Sequence, residues 1–458
     1  MDEALNSSFS KSDQRVHGFV RRGRRQVFAS RPNVGLAGTS TSNVATQTKP
    51  QLAGKLQKKT LAAWCAITLA VIYFLRTTIF PIYAHVPGAV WVGLGSLSIV
   101  VVAGFAVAAG GKWRGVWCGV IAIFGLGVFG AELLLPTFQR FIMLSLLMIA
   151  VGPVVVNPVA MQMRAAAWRL VEKGLPGLLI VSAAWYLFHL PCPFGRSPFA
   201  GFMTQSMLLG PFTGIGVIIA VVRALHGNLW RWGVLALIGV LPLLAAGSRI
   251  AILAAGGAGC FLVLRRKPVL GSVLLLLFVA TIWSFVTSGK QEQTPPPPPG
   301  SVMSGLARKG IQNDRDLLWQ ARFNEFKSSP LVGVGIGMGE GEGVARDSKG
   351  NIQIEPGSSY LAVLSMTGSL GAITFWLGIG TLTYGFAKSR RKAPVEKDIL
   401  AAVGIFFAVH GVAEGWILSF GSPIGAFFWL WLGNFGDASL PPTISNFRRT
   451  PAVGQLRR

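Results

Sequence analysis

Charge is the scarcest component of this chain: 13% of its 458 residues are Asp, Glu, Lys or Arg, against about 25% in a soluble domain. With 52% hydrophobic residues and a mean hydropathy of +0.54, an ordinary water-facing surface cannot be covered. Cysteine is nearly absent. Cys65, Cys118, Cys192 and Cys260 show no CxxC spacing, so neither a disulfide framework nor a metal site is indicated. Acidic residues number 17 and histidines five, and they form no chain across the middle of the apolar runs. That argues against a proton-coupled transporter. Internal or inverted repeats of the transporter kind are also missing.

What the chain does have is apolar runs of the length that a membrane span needs, about 20 residues. They fall at 61–80, 88–109, 116–135, 141–160, 175–190, 203–222, 229–247, 249–264, 269–287, 358–386, 398–416 and 420–436. The fold class they predict is all-α, a polytopic transmembrane helical bundle of about twelve spans. Two runs, 175–190 and 249–264, are short, and a tilted or partly re-entrant path would accommodate them. The first run starts near residue 61, too late for a cleaved signal peptide. The chain thus divides into a disordered basic tail (1–60), spans one to nine (61–287), a large extracytoplasmic loop (288–357), spans ten to twelve (358–436) and a basic tail (437–458).

Lysine and arginine set the orientation. Thirty of the 42 lie before residue 61 and in the segments 110–115, 161–174, 223–231, 265–267, 388–397 and 448–458. The short loops of the other side offer Arg140, Arg196 and Arg249. Both termini are therefore expected in the cytoplasm. The large loop, with eight basic and eight acidic residues, is neutral and lies outside. The net charge of +25 then belongs to the cytoplasmic face, where membrane lipids with anionic headgroups are the partners and nucleic acid is not.

Within that loop, TPPPPPG (294–300) reads as a stiff extended spacer. The stretch DRDLLWQARFNEFKSS reads as a helix whose apolar face is Leu317, Leu318, Ala321 and Phe326, with Trp319 and Phe323. Pro330 ends it. Such a helix lies on the membrane surface, caps the bundle, or simply closes the loop. A glycine then occupies every odd position from 333 to 341. A dinucleotide site needs a strand before its glycines and a phosphate loop needs a lysine; neither is present. Gly333, Gly335 and Gly337 remain as residues that let a backbone approach a ligand, present N–H groups to an anion, or supply flexibility.

Ionisable residues inside apolar runs are few. Arg76, Glu132 and His189 sit towards the outer ends of their runs. His410 and Glu414 stand i, i+4 in the eleventh span, where a mutual hydrogen bond would orient an outer vestibule. Further ligands for a metal are not suggested. Arg249, in LPLLAAGSRIAILAAGGAG, either snorkels to headgroups or clamps an anion through its bidentate guanidinium. With Arg315 and Arg322 of the loop helix, it would suit a lipid-linked pyrophosphate at the outer leaflet.

Three patches carry a resemblance to a known family. GSRIAIL (247–253) is similar to a Ser-Arg pair before a small-residue span, and RDLLWQARFNEFKSSPLVGVGIG (315–337) to an R-x-x-x-W … P-L-x-G-x-G pattern. SSYLAVLSMTGSLGA (358–372) is similar to an H-N-x-Y-L … G-x-x-G segment, and HGVAEGWILSFGSPIGAFFWL (410–430) to exopolysaccharide polymerases. The chain resembles the O-antigen ligase and Wzy-type polysaccharide polymerase superfamily over roughly its last 200 residues. That resemblance implies metal-independent and cofactor-free glycosyl transfer from an undecaprenyl-pyrophosphate-linked glycan at the outer face of a bacterial inner membrane. Partners of that chemistry would include a chain-length regulator or export proteins. Arg249 and Arg315 match the family's functional arginines, while Arg322 rests on the helix argument alone. Ser358, Ser359 and Tyr360 fall on its third patch. Where ligases have His-Asn, this chain has Gly357-Ser358, which favours a polymerase over a ligase. Glu355 is then the nearest general base, with Glu340 and Glu342 as alternatives.

Overall fold

The structure is a computed structural model that describes residues 88–131, 134–190, 199–203, 205–288, 314–336, 357–389, 393–419 and 421–440. The expected span 61–80, both tails, the proline spacer, and Gly337, Glu340, Glu342 and Glu355 lie outside these residues. Twelve helices make up the described chain. They are α1 Gly88–Ala108, α2 Gly115–Phe129, α3 Leu134–Ala150, α4 Pro158–Leu187, α5 Ser206–His226, α6 Leu229–Ala245, α7 Arg249–Arg266, α8 Pro268–Ser288, α9 Asp314–Ser328, α10 Ser359–Lys388, α11 Pro394–His410 and α12 Pro423–Ala438. A two-residue antiparallel ladder, β1 (Lys112–Trp113) with β2 (Val155–Val156), pairs Lys112 with Val156 and is the exception to the all-α expectation.

Helix starts follow their local chemistry. Asn157 caps α4 by accepting from Ala160 N at 2.7 Å, with Pro158 as the first helical residue. Asn228 does the same for α6, and Ser422 with Pro423 for α12. Each of the eleven other expected apolar runs overlaps a helix, though 141–160 also takes in β2 and 398–416 runs past the end of α11. Three helices, Pro158–Leu187, Ser206–His226 and Ser359–Lys388, are long and apolar enough to cross a membrane. Their exteriors fit that setting, since side chains such as Ile180 and Leu377 stand about half and three-fifths exposed.

One boundary needs correction. The segment 161–174, expected as a basic loop, is the first half of α4, and the preceding helix ends at Ala150 rather than 160. Arg164, counted as a loop cation, is fully buried. Its Nε and Nη2 donate to the two carboxylate oxygens of Asp437 at 2.9 and 2.8 Å, and Nη1 and Nη2 reach the Gly152 and Val155 carbonyls at 3.1 Å. A partner opposite makes burial of the charge tolerable.

The bundle has two distinct ends. At the basic end, Arg164 and Asp437 are joined by Arg114, whose Nη2 donates to the Gly436 carbonyl at 2.7 Å. Burial lowers the Arg114 guanidinium to about 10, against the pull of Asp437, and Arg164 adds to the lowering. Arg223 pairs with Glu172 at 3.1 Å, and Asp398 gathers His226, Arg265 and Arg266. Nearly all of these cations come from segments expected on one side of the membrane. The opposite end is built from glycines and backbone hydrogen bonds. Helices α2, α5, α7, α11 and α12 run between the two, around a core in which Trp117, Phe375 and Trp429 meet edge to face at 6.0–6.2 Å.

Candidate functional site

α10 is not one helix. At Gly368 the backbone turns to φ 64° and ψ −175°, a conformation closed to residues with a Cβ. An unbroken helix would hold residues 360 and 376 about 24 Å apart. The rings of Tyr360 and Trp376 instead meet at 5.2 Å, so the arms 359–367 and 369–388 fold sharply against each other. The expected tenth span, 358–386, is corrected accordingly. The second arm alone is about 30 Å long, enough to cross a membrane.

A break of this kind frees backbone groups that an apolar setting cannot leave bare. The segment after α9 supplies their partners. Ser369 N and Leu370 N donate to the carbonyls of Pro330 and Leu331 at 2.8 and 3.2 Å. The carbonyls of Ser365 and Met366 accept from Val334 N and Gly335 N, both at 3.0 Å. Four bonds between segments thereby satisfy two amides and two carbonyls beside the break. Gly333 and Gly335, at φ 74° and 90°, let the strand-like segment enter. A Cβ on Gly335 would meet the Gly127 carbonyl at 2.8 Å and Ala131 at 2.9 Å.

This alters the role expected of the glycines. The amide of Gly333 donates to Ser329 O at 2.9 Å, so the amides from 333 to 335 are all engaged within the fold. Gly333 and Gly335 are therefore neither an anion cradle nor a flexible link. The backbone they bring close is that of α10.

The loop helix α9 forms where the sequence predicts it and ends before Pro330. It docks on α10 through buried Leu318 and through Trp319, whose Nε1 donates to the Gly357 carbonyl at 3.1 Å. Gly357 is at φ 68°, and a Cβ there would meet Leu318 at 3.0 Å and Trp319 at 3.3 Å. Arg322 pairs with Glu325 at 2.7 Å along the helix. Arg315 lies in the first turn of α9; its side chain is outside the described residues.

Ser358 and Ser359 are buried and structural. Ser358 caps α10, and the Ser359 hydroxyl donates to Glu414 O at 2.6 Å while accepting from Trp416 N at 3.1 Å. Tyr360 is half-buried and donates to the Ala408 carbonyl. α11 ends at His410, so Glu414 lies beyond a turn, and the expected i, i+4 helical pair is not formed on one helix face. Trp416 Nε1 donates to His410 Nδ1 at 2.9 Å, which in the neutral ring leaves the proton on Nε2. Trp416 as an orienting residue was not foreseen; its spacing of six from His410 matches no helical rule.

Arg249 opens α7, after Gly247 at φ 64° and Ser248. Its charge and the positive end of the α7 dipole fall on the same turn. α7 packs on α5, α8 and α11, while α9 packs on α10. Phe406 lies against Gly214, whose added Cβ would also touch the Ala251 carbonyl, and His410 stacks one turn beyond at 5.3 Å. Arg249 and His410 thus share one end of the α7–α11 pair, beside Ser359 and Tyr360.

No protein-family model matches the chain, nor does any curated protein sequence. The site has to be read from its own chemistry. One arginine at a helix N-terminus, a buried His–Trp pair, two aromatic rings and a docked helix carrying a second arginine gather at one end. Such a set places positive charge beside ring faces, the chemistry that can hold an anion next to a ring-bearing or apolar group. Among the described residues no cluster of three metal-ligating side chains occurs.

Proposed function

We propose that the chain is a multi-pass protein of a bacterial cytoplasmic membrane that polymerises lipid-linked polysaccharide repeats. In this reading about twelve spans cross the membrane, both termini face the cytoplasm, and 288–357 lies outside. The donor is a glycan on undecaprenyl pyrophosphate, and the acceptor a hydroxyl of another lipid-linked unit. The bond from the anomeric carbon to the pyrophosphate oxygen breaks, and the leaving group keeps the electron pair. The acceptor oxygen bonds to the same carbon, and its proton passes to a carboxylate such as Glu355 or to water. Arg249 and Arg315 neutralise the departing pyrophosphate.

The observation that carries the reading is the hydrogen-bonded joint between 330–335 and 365–370. It binds together two of the patches that resemble the polymerase superfamily. The departure at Gly357 also fits. A side chain at 357 would crowd Leu318 at 3.0 Å and Trp319 at 3.3 Å. A flippase for the same lipid would want a polar route through the bundle, whereas the half-open cavity of about 410 Å³ between α1, α3, α4, α5 and α12 has Ser98 as its one polar lining side chain.

The decisive measurement is the set of lipid-linked species in cells carrying Arg249→Ala, Arg249→Lys or Arg315→Ala. Single repeats should accumulate at the outer leaflet, with Lys restoring less than full activity because it lacks the planar fork. Unchanged polymer length in Arg315→Ala sinks the assignment. Repeats trapped at the inner leaflet indicate a flippase, and finished polymer left on its lipid indicates a ligase.

A further inference from the structure

We propose that the cavity between α1, α3, α4, α5 and α12 seats one acyl chain of a glycerophospholipid whose phosphate is held by Arg140. The inference goes beyond the polymerase reading and does not rest on it. The cavity is half open and measures about 410 Å³. An apolar cavity of about 150 Å³ takes a benzene ring, so this one takes about sixteen carbons, the size of one acyl chain. An undecaprenyl chain would need about three times that volume. The α4 wall runs from Met163 to Val181, about 27 Å, long enough for an acyl chain laid straight. Leu170 and Val181 line it while standing 38% and 46% exposed, so it opens sideways to the membrane.

An arginine commits this cavity to a lipid that carries a phosphate. Arg140, expected in a short loop, lies within α3. Leu147 of α3 lines the cavity, and so does Val151, which prolongs the helix by donating to the Leu147 carbonyl at 3.0 Å. Arg140 stands at i, i+7 and i+11 to them, on the same row of the helix. It is half-buried and makes no hydrogen bond or ion pair among the described residues. α3 and α12 touch near the basic end, where a Cβ on Gly433 would meet the Val151 carbonyl at 2.1 Å. About 16 Å from there, towards the glycine end, stand Arg140 on α3 and Pro423 on α12, and Pro423 lines the cavity. Arg140 is therefore level with one end of the cavity. The first turn of α12, capped by Ser422, adds the positive end of its dipole at that level. Inside, the Ser98 hydroxyl already donates to the Leu94 carbonyl at 2.6 Å, so no lining side chain calls for a polar occupant. A guanidinium grips a phosphate bidentately, and the apolar walls below it accept only a tail.

Gly174 separates tail from head. It lines the cavity, and a Cβ there meets nothing within 4 Å, so Gly174→Phe fills the slot without touching Arg140. The full chain, purified and delipidated in detergent, is titrated with dipalmitoyl phosphatidylglycerol, and bound lipid is counted by native mass spectrometry. One lipid per chain should bind, about tenfold more weakly in Arg140→Gln and in Gly174→Phe, with Arg140→Lys in between. Dipalmitoylglycerol, which lacks the phosphate, should bind the unaltered chain about tenfold more weakly too, and undecaprenyl phosphate should not displace the phospholipid. Those two measurements need no variant, so a substitution that fails to fold leaves the test intact. Equal binding of dipalmitoylglycerol and phosphatidylglycerol overturns the proposal, leaving an apolar surface with no headgroup site. Displacement by undecaprenyl phosphate at equal concentration overturns it as well, and makes the cavity a carrier-lipid site. Unchanged affinity in Gly174→Phe beside a loss in Arg140→Gln also sinks it, leaving an arginine that only snorkels to headgroups.

Discussion

Arg164 and Asp437 are held together by two parallel hydrogen bonds at 2.9 and 2.8 Å across 273 residues of sequence. Removing one partner leaves a bare charge in the bundle. Asp437→Ala should destabilise the protein by about 3–5 kcal/mol, read as a lowered unfolding midpoint in detergent. An Arg164→Met/Asp437→Leu double variant should recover most of that loss, since an apolar pair needs no compensation. Equal instability of the single and double variants would show that the carbonyl contacts to Gly152 and Val155 matter more than the ion pair.

The glycine joint makes a sharper demand. At Gly333 an added methyl would sit 2.5 Å from the Thr367 amide, and the left-handed backbone itself costs an ordinary residue about 1–2 kcal/mol. Gly333→Ala and Gly368→Ala should therefore both lose more than that, with amide exchange rising in 365–370. Gly380→Ala on the same helix meets open space and should be near neutral. A Gly333→Ala variant with unchanged exchange would remove the joint from the account.

Trp319 offers a milder test of docking. Trp319→Phe keeps most of the apolar contact and deletes the bond to the Gly357 carbonyl, a loss of about 1 kcal/mol. Amide exchange in 314–328 should increase several-fold while the rest of the bundle stays protected. If α9 positions Arg315, polymer length should fall in parallel. Increased exchange with undiminished polymer would mean that the helix only closes the loop.

Periodicity and caps made the helices legible. The runs 203–222, 229–247 and 249–264 lie within a few residues of α5, α6 and α7. Charge counting failed where a cation had a distant partner. Arg164 reads as a loop marker until Asp437 is known to stand opposite, and nothing local announces that. The break at Gly368 was hidden for a different reason. An apolar run of 29 residues looks like one long span, and a glycine inside it is common in membrane helices. Its signal was present in the second motif, because P-L-x-G-x-G supplies the carbonyls and amides that a broken helix requires. His410 stands out in the sequence as a histidine in an apolar run, while Trp416, which donates to it, comes from a turn, where spacing rules do not apply.

The joint at Gly368 has a consequence for tracing distant kin of this chain. Its four bonds are made by main-chain atoms, which every residue type except proline can provide as donors and every type can provide as acceptors. The information that specifies it is thus written in side chains that are missing, at Gly333, Gly335 and Gly368. Most neighbouring positions can change without disturbing it. Relatives are better sought by shape, through a folded-back helix stitched by an upstream left-handed glycine pair, than by comparing letters.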